Sequence, residues 1–396
     1  MPRFVNIEDL RRAAKWNMPK PMFDFVDGGA NDEWSVRNNR AGFEQILFDP
    51  RVLVDVSVRD QSTTVFGEKL RTPIIIAPTG MTSIAWPNAE LLAARAAMRA
   101  GAGLALSTYA SSSIEDIAAT GPGPFWFQLY VSKDREVTNE LVDRAQAAGF
   151  KALAITVDTQ VPSMRERDVR NGYAAPPRLG PKTVMDAAWR VGWLSRFIKG
   201  PRPSFRNLKG DVATLPRHFI EMGGQLNRQI DSSLNWKDLE HFRKKWKGPL
   251  LLKGVTSTRD IEQALAYGVN GFIVSNHGGR QLDFAPSSIE TLAEVVDVCG
   301  SRAEVYLDSG IRRGSDIVKA VALGAKAVLI GRPYVYGLGA AGEHGVDEVF
   351  RILGDEVDRC LALIGVPKLS EVTRENLRTY PTAPARVQQA VPIPAR

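Results

Sequence analysis

Gly271-Phe272-Ile273-Val274-Ser275-Asn276-His277-Gly278-Gly279-Arg280-Gln281-Leu282-Asp283 is the stretch on which the reading of this chain turns. Four apolar residues make a short buried strand, and polar residues with two glycines end it. Parallel α/β barrels keep their chemistry at the C-terminal ends of their strands, so an imidazole at 277 close to the fixed cation Arg280 predicts a place in a catalytic mouth. Gly278 and Gly279 let the backbone turn sharply there. A lone histidine would do no more than hydrogen-bond its own turn; the catalytic reading rests on the polar groups that end other strands.

Working outward, similar β-rich runs occur at 73–77, 103–107, 125–130, 152–157, 249–253, 271–275, 304–308 and 326–331. Helical spacing of Ala, Leu, Glu and Arg fills 88–100, 135–148, 258–267 and 316–323. Eight strands alternating with helices predict an α/β fold, a (β/α)8 TIM barrel. The residues before 73 predict an N-terminal helical cap, and one excursion breaks the rhythm, a long insertion after strand four at about 159–246. The expected organisation is a single domain over 1–380, followed by a proline-bearing, extended tail at 381–396.

Composition narrows the class further. A chain of 396 residues, 44% hydrophobic and 24% charged, is an ordinary globular protein. Its two cysteines, Cys299 and Cys360, lie in no CxxC or Cys/His cluster, so no metal site and a reducing, cytoplasmic setting are expected. The first residues include Glu8 and Asp9 where a secretion signal needs an apolar core. No run of about 18 apolar residues is present to span a bilayer.

The net charge of +7 is local. Between 178 and 209 stand Arg178, Lys182, Arg190, Arg196, Lys199, Arg202, Arg206 and Lys209 against Asp186 alone, which accounts for all of it. Interleaving with Trp189, Trp193, Phe197 and Phe205 suits a peripheral contact with an anionic membrane surface, such as the inner face of the cell membrane. An active-site lid or a subunit contact is the other use of such a segment. No nucleic-acid-binding motif accompanies it, so nucleic acid is not expected as a partner.

The strand ends supply one converging set of polar residues: Thr79, Ser107, Gln128, Tyr130, Thr156, Asp158, Lys253, His277, Arg280 and Asp308. The last two loops add Ser309-Gly310 with Arg312, and Gly331-Arg332. Glycine turns with arginines after strands seven and eight are where this architecture cradles phosphate, on backbone N–H groups and guanidinium forks.

These residues stand in ordered blocks: FQLYV at 127–131, TVD at 156–158, LLKGV at 251–255, SNHGGRQLD at 275–283, DSGIRRGSD at 308–316 and IGRP at 330–333. With these blocks the chain resembles the FMN-dependent 2-hydroxy acid oxidase and dehydrogenase family from Asn6 to about Thr373. The basic aromatic insertion, Trp86-Pro87 and Arg165-Glu166-Arg167-Asp168 are most similar to its membrane-associated branch of mandelate and L-lactate dehydrogenases.

The resemblance implies FMN as cofactor, oxidation of an L-2-hydroxy acid to the keto acid, a quinone as electron acceptor or else dioxygen, and a homotetramer. It implies His277 as the base, Asp158 as its carboxylate partner, Arg280 and Arg165 as the grip on the substrate carboxylate, and Tyr130 near the substrate oxygen. It places Lys253 near the flavin N1 edge, Gln128, Thr156, Ser107 and the Pro78-Thr79-Gly80 turn around the ring, and Asp308, Ser309, Gly310, Arg312, Gly331 and Arg332 toward the phosphate end. An imidazole, with its ordinary pKa of about 6.5, suits a base at neutral pH.

One position departs from the family pattern. The family reads Tyr-Asp-Tyr before its Gly-Gly-Ala turn, and the second tyrosine donates to the substrate carboxylate; this chain reads Phe23-Asp24-Phe25. The lost bond is worth about 1.5 to 3 kcal/mol, less whatever Tyr109 or water restores. Phe25 and Tyr109, with Met81, predict a pocket for an aromatic or apolar side chain. Two other classes stand against this reading. A phosphate-sugar barrel enzyme has no need of His277 and Arg280 beside Arg165, and a catalytically inactive membrane- or nucleic-acid-binding barrel has no need of any strand-end set.

Overall fold

The computed structural model describes residues 4–172, 181–201, 204–208 and 229–379. Arg178, Arg202 and Lys209 of the basic segment, and the tail 381–396, lie outside the described residues. Each predicted β-run holds a strand: β1 (Ile74–Ile76), β2 (Gly103–Ser107), β3 (Phe125–Leu129), β4 (Ala152–Thr156), β5 (Leu250–Val255), β6 (Gly271–Val274), β7 (Glu304–Leu307) and β8 (Val328–Ile330). They pair in parallel and close into an eight-stranded barrel in the order β7-β8-β1-β2-β3-β4-β5-β6.

The two-residue period of a strand explains why nearly every position is apolar. Ile75, Ala105, Trp126, Ala154, Leu251, Ile273 and Leu329 point inward and form their own cluster. Their neighbours, such as Ile74, Leu104, Phe127, Leu153 and Phe272, point outward and pack under the ring of helices. Burying each large side chain is worth about 1.5 to 3 kcal/mol.

The residues before β1 serve both ends of the barrel rather than one. Helix Ile7–Asn17 starts where the Asn6 side chain accepts from Asp9 N at 2.9 Å, and it buries Ile7, Leu10 and Ala14 along one face. Helix Lys20–Asp27 carries Phe25 to the mouth, and helix Trp34–Glu44 follows. A hairpin, Thr63–Val65 with Glu68–Leu70, goes to the opposite end. At its tip the Phe66 ring lies 5.8 Å from Trp126 and 5.7 Å from Tyr306, while Phe66 N donates to Glu304 at the start of β7. Aromatic rings therefore close the floor. A strand at Ile46–Phe48 pairs antiparallel with Leu377–Thr379, tying early and late chain together.

Between β4 and β5 lie helices Glu166–Arg170, Pro181–Trp189, Val191–Lys199 and Trp236–Lys245. The last buries Leu239 and Phe242 and pairs Lys245 with Asp143 of helix Arg135–Ala147 at 2.6 Å, so the outer ring resumes at 236. Helix Val191–Lys199 docks through Trp193, whose Nε1 donates to Ile84 O at 2.7 Å, and through the Arg196 guanidinium, 4.0 Å over the Trp86 ring. Among the described residues no helix is long and apolar enough to cross a membrane.

Candidate active site

His277 leaves β6 in a left-handed conformation, φ 58°, with its N–H donating to Ser275 Oγ at 3.0 Å. That strained turn aims the imidazole across the barrel mouth. Its Nδ1 is 3.1 Å from Asp158 Oδ1 and 3.3 Å from Oδ2; its Nε2 is 3.4 Å from the Tyr130 hydroxyl. A carboxylate at Nδ1 selects the tautomer with the proton there and leaves Nε2 as the acceptor. Burial works to raise the Asp158 carboxyl, but the charge and hydrogen bond of His277 and the charge on Lys253 outweigh it and hold the group below its ordinary value. Burial, then the Asp158 charge, pushes the Tyr130 phenol well up, so it remains a protonated donor. Tyr109 stacks on Tyr130 with ring centroids 4.8 Å apart.

Gly254, which no motif or periodicity singles out, makes room for that carboxylate. The β5–β6 register shifts between Lys253 and Val255, with Gly254 at φ +102°. A Cβ there would lie 2.5 Å from Asp158 Cγ. The bulge is therefore what lets Asp158 stand behind His277.

At one side of the imidazole, two guanidinium groups share one ring. Arg280 lies 5.0 Å and Arg165 5.4 Å from the Phe25 centroid. Arg280 Nη1 donates to Phe25 O at 2.6 Å and Gly28 O at 3.1 Å, and Arg165 Nε is 3.4 Å from Asp168. Burial, then the positive charges of Arg165 and Arg332, pushes the Arg280 guanidinium down to about 9, still charged at neutral pH. A buried cation without a full counter-charge favours an anion beside it.

Deeper in the mouth Lys253 Nζ is 2.9 Å from Asp308 Oδ2 and donates to Ser275 Oγ at 2.9 Å. Burial works against its charge, but Asp308 and then Asp158 outweigh it and raise the ammonium above its ordinary value. Ser107 donates to Gln128 at 3.0 Å and Gln128 Nε2 to Thr156 at 2.8 Å, a polar row on three adjacent strand ends. Across from it is the turn of Pro78, Thr79 and Gly80.

The far end is an anion cradle. Gly310 runs at φ +86°, and a Cβ there would lie 2.2 Å from Asn39 O, so this turn needs glycine. Ser309 Oγ donates to Asp308 at 2.6 Å and accepts from Gly278 N at 2.9 Å. Gly331 precedes helix Arg332–Ile364, and Arg332 donates to the carbonyls of Val26, Gly278 and Gly28. Burial, with Arg332 and Arg40 adding to it, pushes the Arg312 guanidinium down although Tyr336 opposes the shift. Two half-buried guanidinium groups beside a helix N-terminus suit a phosphate.

One cavity of about 380 Å³ joins these parts. Phe25, Pro78, Thr79, Gly80, Tyr109, Tyr130 and Arg165 line it, as do Lys253, His277, Arg280 and Asp308 to Gly310 with Arg312, Gly331 and Arg332. Ser107, Gln128, Thr156 and Asp158 stand behind its wall. Asp168 and Phe205 also line it and were not predicted to; Phe205 meets Tyr109 edge-on at 5.9 Å. The donor set fits FMN: cations and a helix start for the phosphate, a buried ammonium and amide row for the ring.

Comparison with known proteins gives the family and the fold. A family model described as FMN-dependent dehydrogenase matches residues 14–379. Glycolate oxidase 1 of Zea mays is 42% identical over 386 residues, covering 96% of this chain and 97% of that protein. (S)-Mandelate dehydrogenase of Pseudomonas putida is 42% identical over 373 residues, covering 94% and 93%. The solved structure of a monotopic membrane protein, (S)-mandelate dehydrogenase, superposes with a TM-score of 0.90 at 41% identity over 96% of this chain and 100% of that one.

Proposed function

The chain belongs to the FMN-dependent dehydrogenase family and oxidises a 2-hydroxy acid with FMN as cofactor, and we propose that His277 is the base of that reaction, in an L-2-hydroxy acid dehydrogenase with an aromatic or lactate-like substrate. The observation that carries this is the His277 ring held between Asp158 and Tyr130 while Arg165 and Arg280 converge beside it.

In this reading Arg165 and Arg280 bind the substrate carboxylate and fix the orientation of the carbon bearing the hydroxyl. His277 Nε2 takes a proton from the substrate, and Asp158 stabilises the imidazolium that results. Tyr130 donates to the substrate oxygen. FMN, when bound, supplies the two-electron acceptor. Lys253 offsets negative charge at the ring, Gln128, Thr156, Ser107 and the Pro78 to Gly80 turn hold it, and Arg312 and Arg332 hold the phosphate with Asp308, Ser309, Gly310 and Gly331. Phe25, Tyr109 and Phe205 offer apolar surface for an aryl group, which supports a mandelate-like acid.

The acceptor proposed is a quinone at a membrane surface. Val184, Met185, Trp189, Val191 and Ile198 are exposed on helices Pro181–Trp189 and Val191–Lys199, with Arg190 and Lys199 close by in the chain. Trp16 of the first helix extends the same face: it is 76% exposed, Trp189 is 87% exposed, and the Arg190 guanidinium lies 5.4 Å over the Trp16 ring. The similar (S)-mandelate dehydrogenase is a monotopic membrane protein, which supports a peripheral membrane contact for this chain. The glycolate oxidases, equally similar in sequence, favour dioxygen as the second reading. A homotetramer is proposed on the family resemblance.

The purified protein is expected to show flavin absorbance that (S)-mandelate bleaches without oxygen, more readily than glycolate or L-lactate. A colourless protein that takes up no FMN overturns the reading; a flavin that no 2-hydroxy acid bleaches overturns the assignment of the base.

A further inference from the structure

From its own segment Arg165 takes one side-chain contact, the 3.4 Å approach to Asp168, and otherwise it rests on the Phe25 ring. It precedes helix Glu166–Arg170, only five residues long, and makes no side-chain cap to it. So short a helix does not hold itself in water. On the reading that Arg165 and Arg280 grip the substrate carboxylate, something else must fix where Arg165 stands.

Arg167 is placed to do this. Its Nη1 is 3.1 Å from Asp27 Oδ2, its Nη2 donates to Glu33, and Asp24 lies 3.9 Å away. Asp27 is itself fixed, accepting from Arg11 at 2.7 and 2.9 Å and from the Tyr336 hydroxyl at 2.7 Å. Glu33 accepts from Gly29 N at 3.0 Å. These two acids flank the Gly28-Gly29 turn, and Gly28 O receives both Arg280 and Arg332. Helix Lys20–Asp27 also bears Phe25, the ring on which Arg165 and Arg280 rest. Lighter ties run alongside: Asn171 Nδ2 donates to Asp24 at 2.8 Å and its Oδ1 accepts from Lys20 at 3.3 Å, Asn31 N donates to Met164 O at 2.9 Å, and Ser163 Oγ donates to Arg280 O.

We propose that Arg167 is a positioning residue for substrate binding: through Asp27 and Glu33 it fastens the Arg165 helix to the turn that holds Arg280, and so sets the spacing of the two guanidinium groups for a carboxylate. Arg167 is not on the cavity wall and touches neither substrate nor cofactor site. Its effect must therefore pass through Arg165, and must be felt by ligands that carry a carboxylate.

The test compares an acid with its amide in the flavin-loaded protein. Arg167→Met is expected to weaken phenylacetate, followed by the change in flavin absorbance on titration, by about tenfold, and to raise KM for (S)-mandelate similarly with kcat within about twofold. Phenylacetamide, which offers no charge to the clamp, is expected to bind as to the wild type. Arg167→Lys, which keeps the charge but loses the fork, recovers part of the loss. Equal weakening of acid and amide, or an unaltered acid, overturns the proposal. If Arg167→Met fails to take up flavin, Glu33→Gln carries the same comparison. A wild type that binds phenylacetate no better than phenylacetamide overturns the clamp itself instead, which separates the two failures.

Discussion

Asp158 accepts from Nδ1 of His277 at 3.1 Å, and the imidazole nitrogen left facing the cavity is the one that a base must use. Asp158→Asn removes the charge that stabilises an imidazolium, so kcat is expected to fall by about 10²- to 10⁴-fold with flavin content unchanged. Gly254→Ala is expected to fall in the same direction while keeping the carboxylate, because its Cβ would displace Asp158. Rapid-mixing measurement of flavin reduction checks both.

Tyr130 lies 3.4 Å from His277 Nε2 and stays protonated through the working pH range. Tyr130→Phe removes one donor and no charge. The expected loss is roughly 3- to 10-fold in kcat, with KM little altered, by steady-state assay with an artificial dye.

Lys253→Met takes a buried ammonium from beside Asp308 and Asp158. The reduced, more negative flavin then loses its counter-charge, and the midpoint potential is expected to move negative in a redox titration. Retained potential with lost activity would assign Lys253 another role.

The Asp27 carboxyl bears on acid stability. Burial works to raise it, but hydrogen bonds from Arg11 and Tyr336 and the charges of Arg11 and Arg332 outweigh this and hold it well below the ordinary value of 3.8. A depressed carboxyl stabilises the fold above that ordinary value, and the contribution is lost as pH falls toward the folded value. Asp27→Asn is expected to cost about 3 kcal/mol at neutral pH and to flatten the fall in stability below pH 3.8, by denaturant titration at several pH values.

Trp16→Ser and Trp189→Ser are each expected to reduce binding to anionic phospholipid vesicles by roughly tenfold, with dye-linked activity intact. Vesicle flotation measures this. Unchanged flotation for both variants would remove the exposed aromatic face from the membrane reading.

Most of the barrel was legible because its signal is local. Ile74-Ile75-Ile76 and Gly271 to Val274 are apolar whichever neighbour they pair with, and a functional residue at a strand end is fixed to within a residue or two by where the apolar run stops. The placement of His277, Lys253, Asp308 and Tyr130 at the barrel mouth was therefore readable. Gly254 was present in a quoted block, but its role depends on a bulge that no periodicity announces. Phe205 meeting Tyr109, Trp193 reaching Ile84 and Phe66 sealing the foot of the barrel join segments far apart in sequence. Such contacts follow from shape. The hairpin at Thr63–Val65 and Glu68–Leu70 was absorbed into an expected cap for that reason.

Among the described residues, the rings of Phe66, Trp126 and Tyr306 shut the barrel at the end away from His277. With that end shut, the proposed reading brings acid and electron acceptor alike to the open mouth, and their traffic is expected to alternate: the acid arrives and departs as keto acid before the acceptor takes its turn. Double-reciprocal plots at several acceptor concentrations should accordingly run parallel.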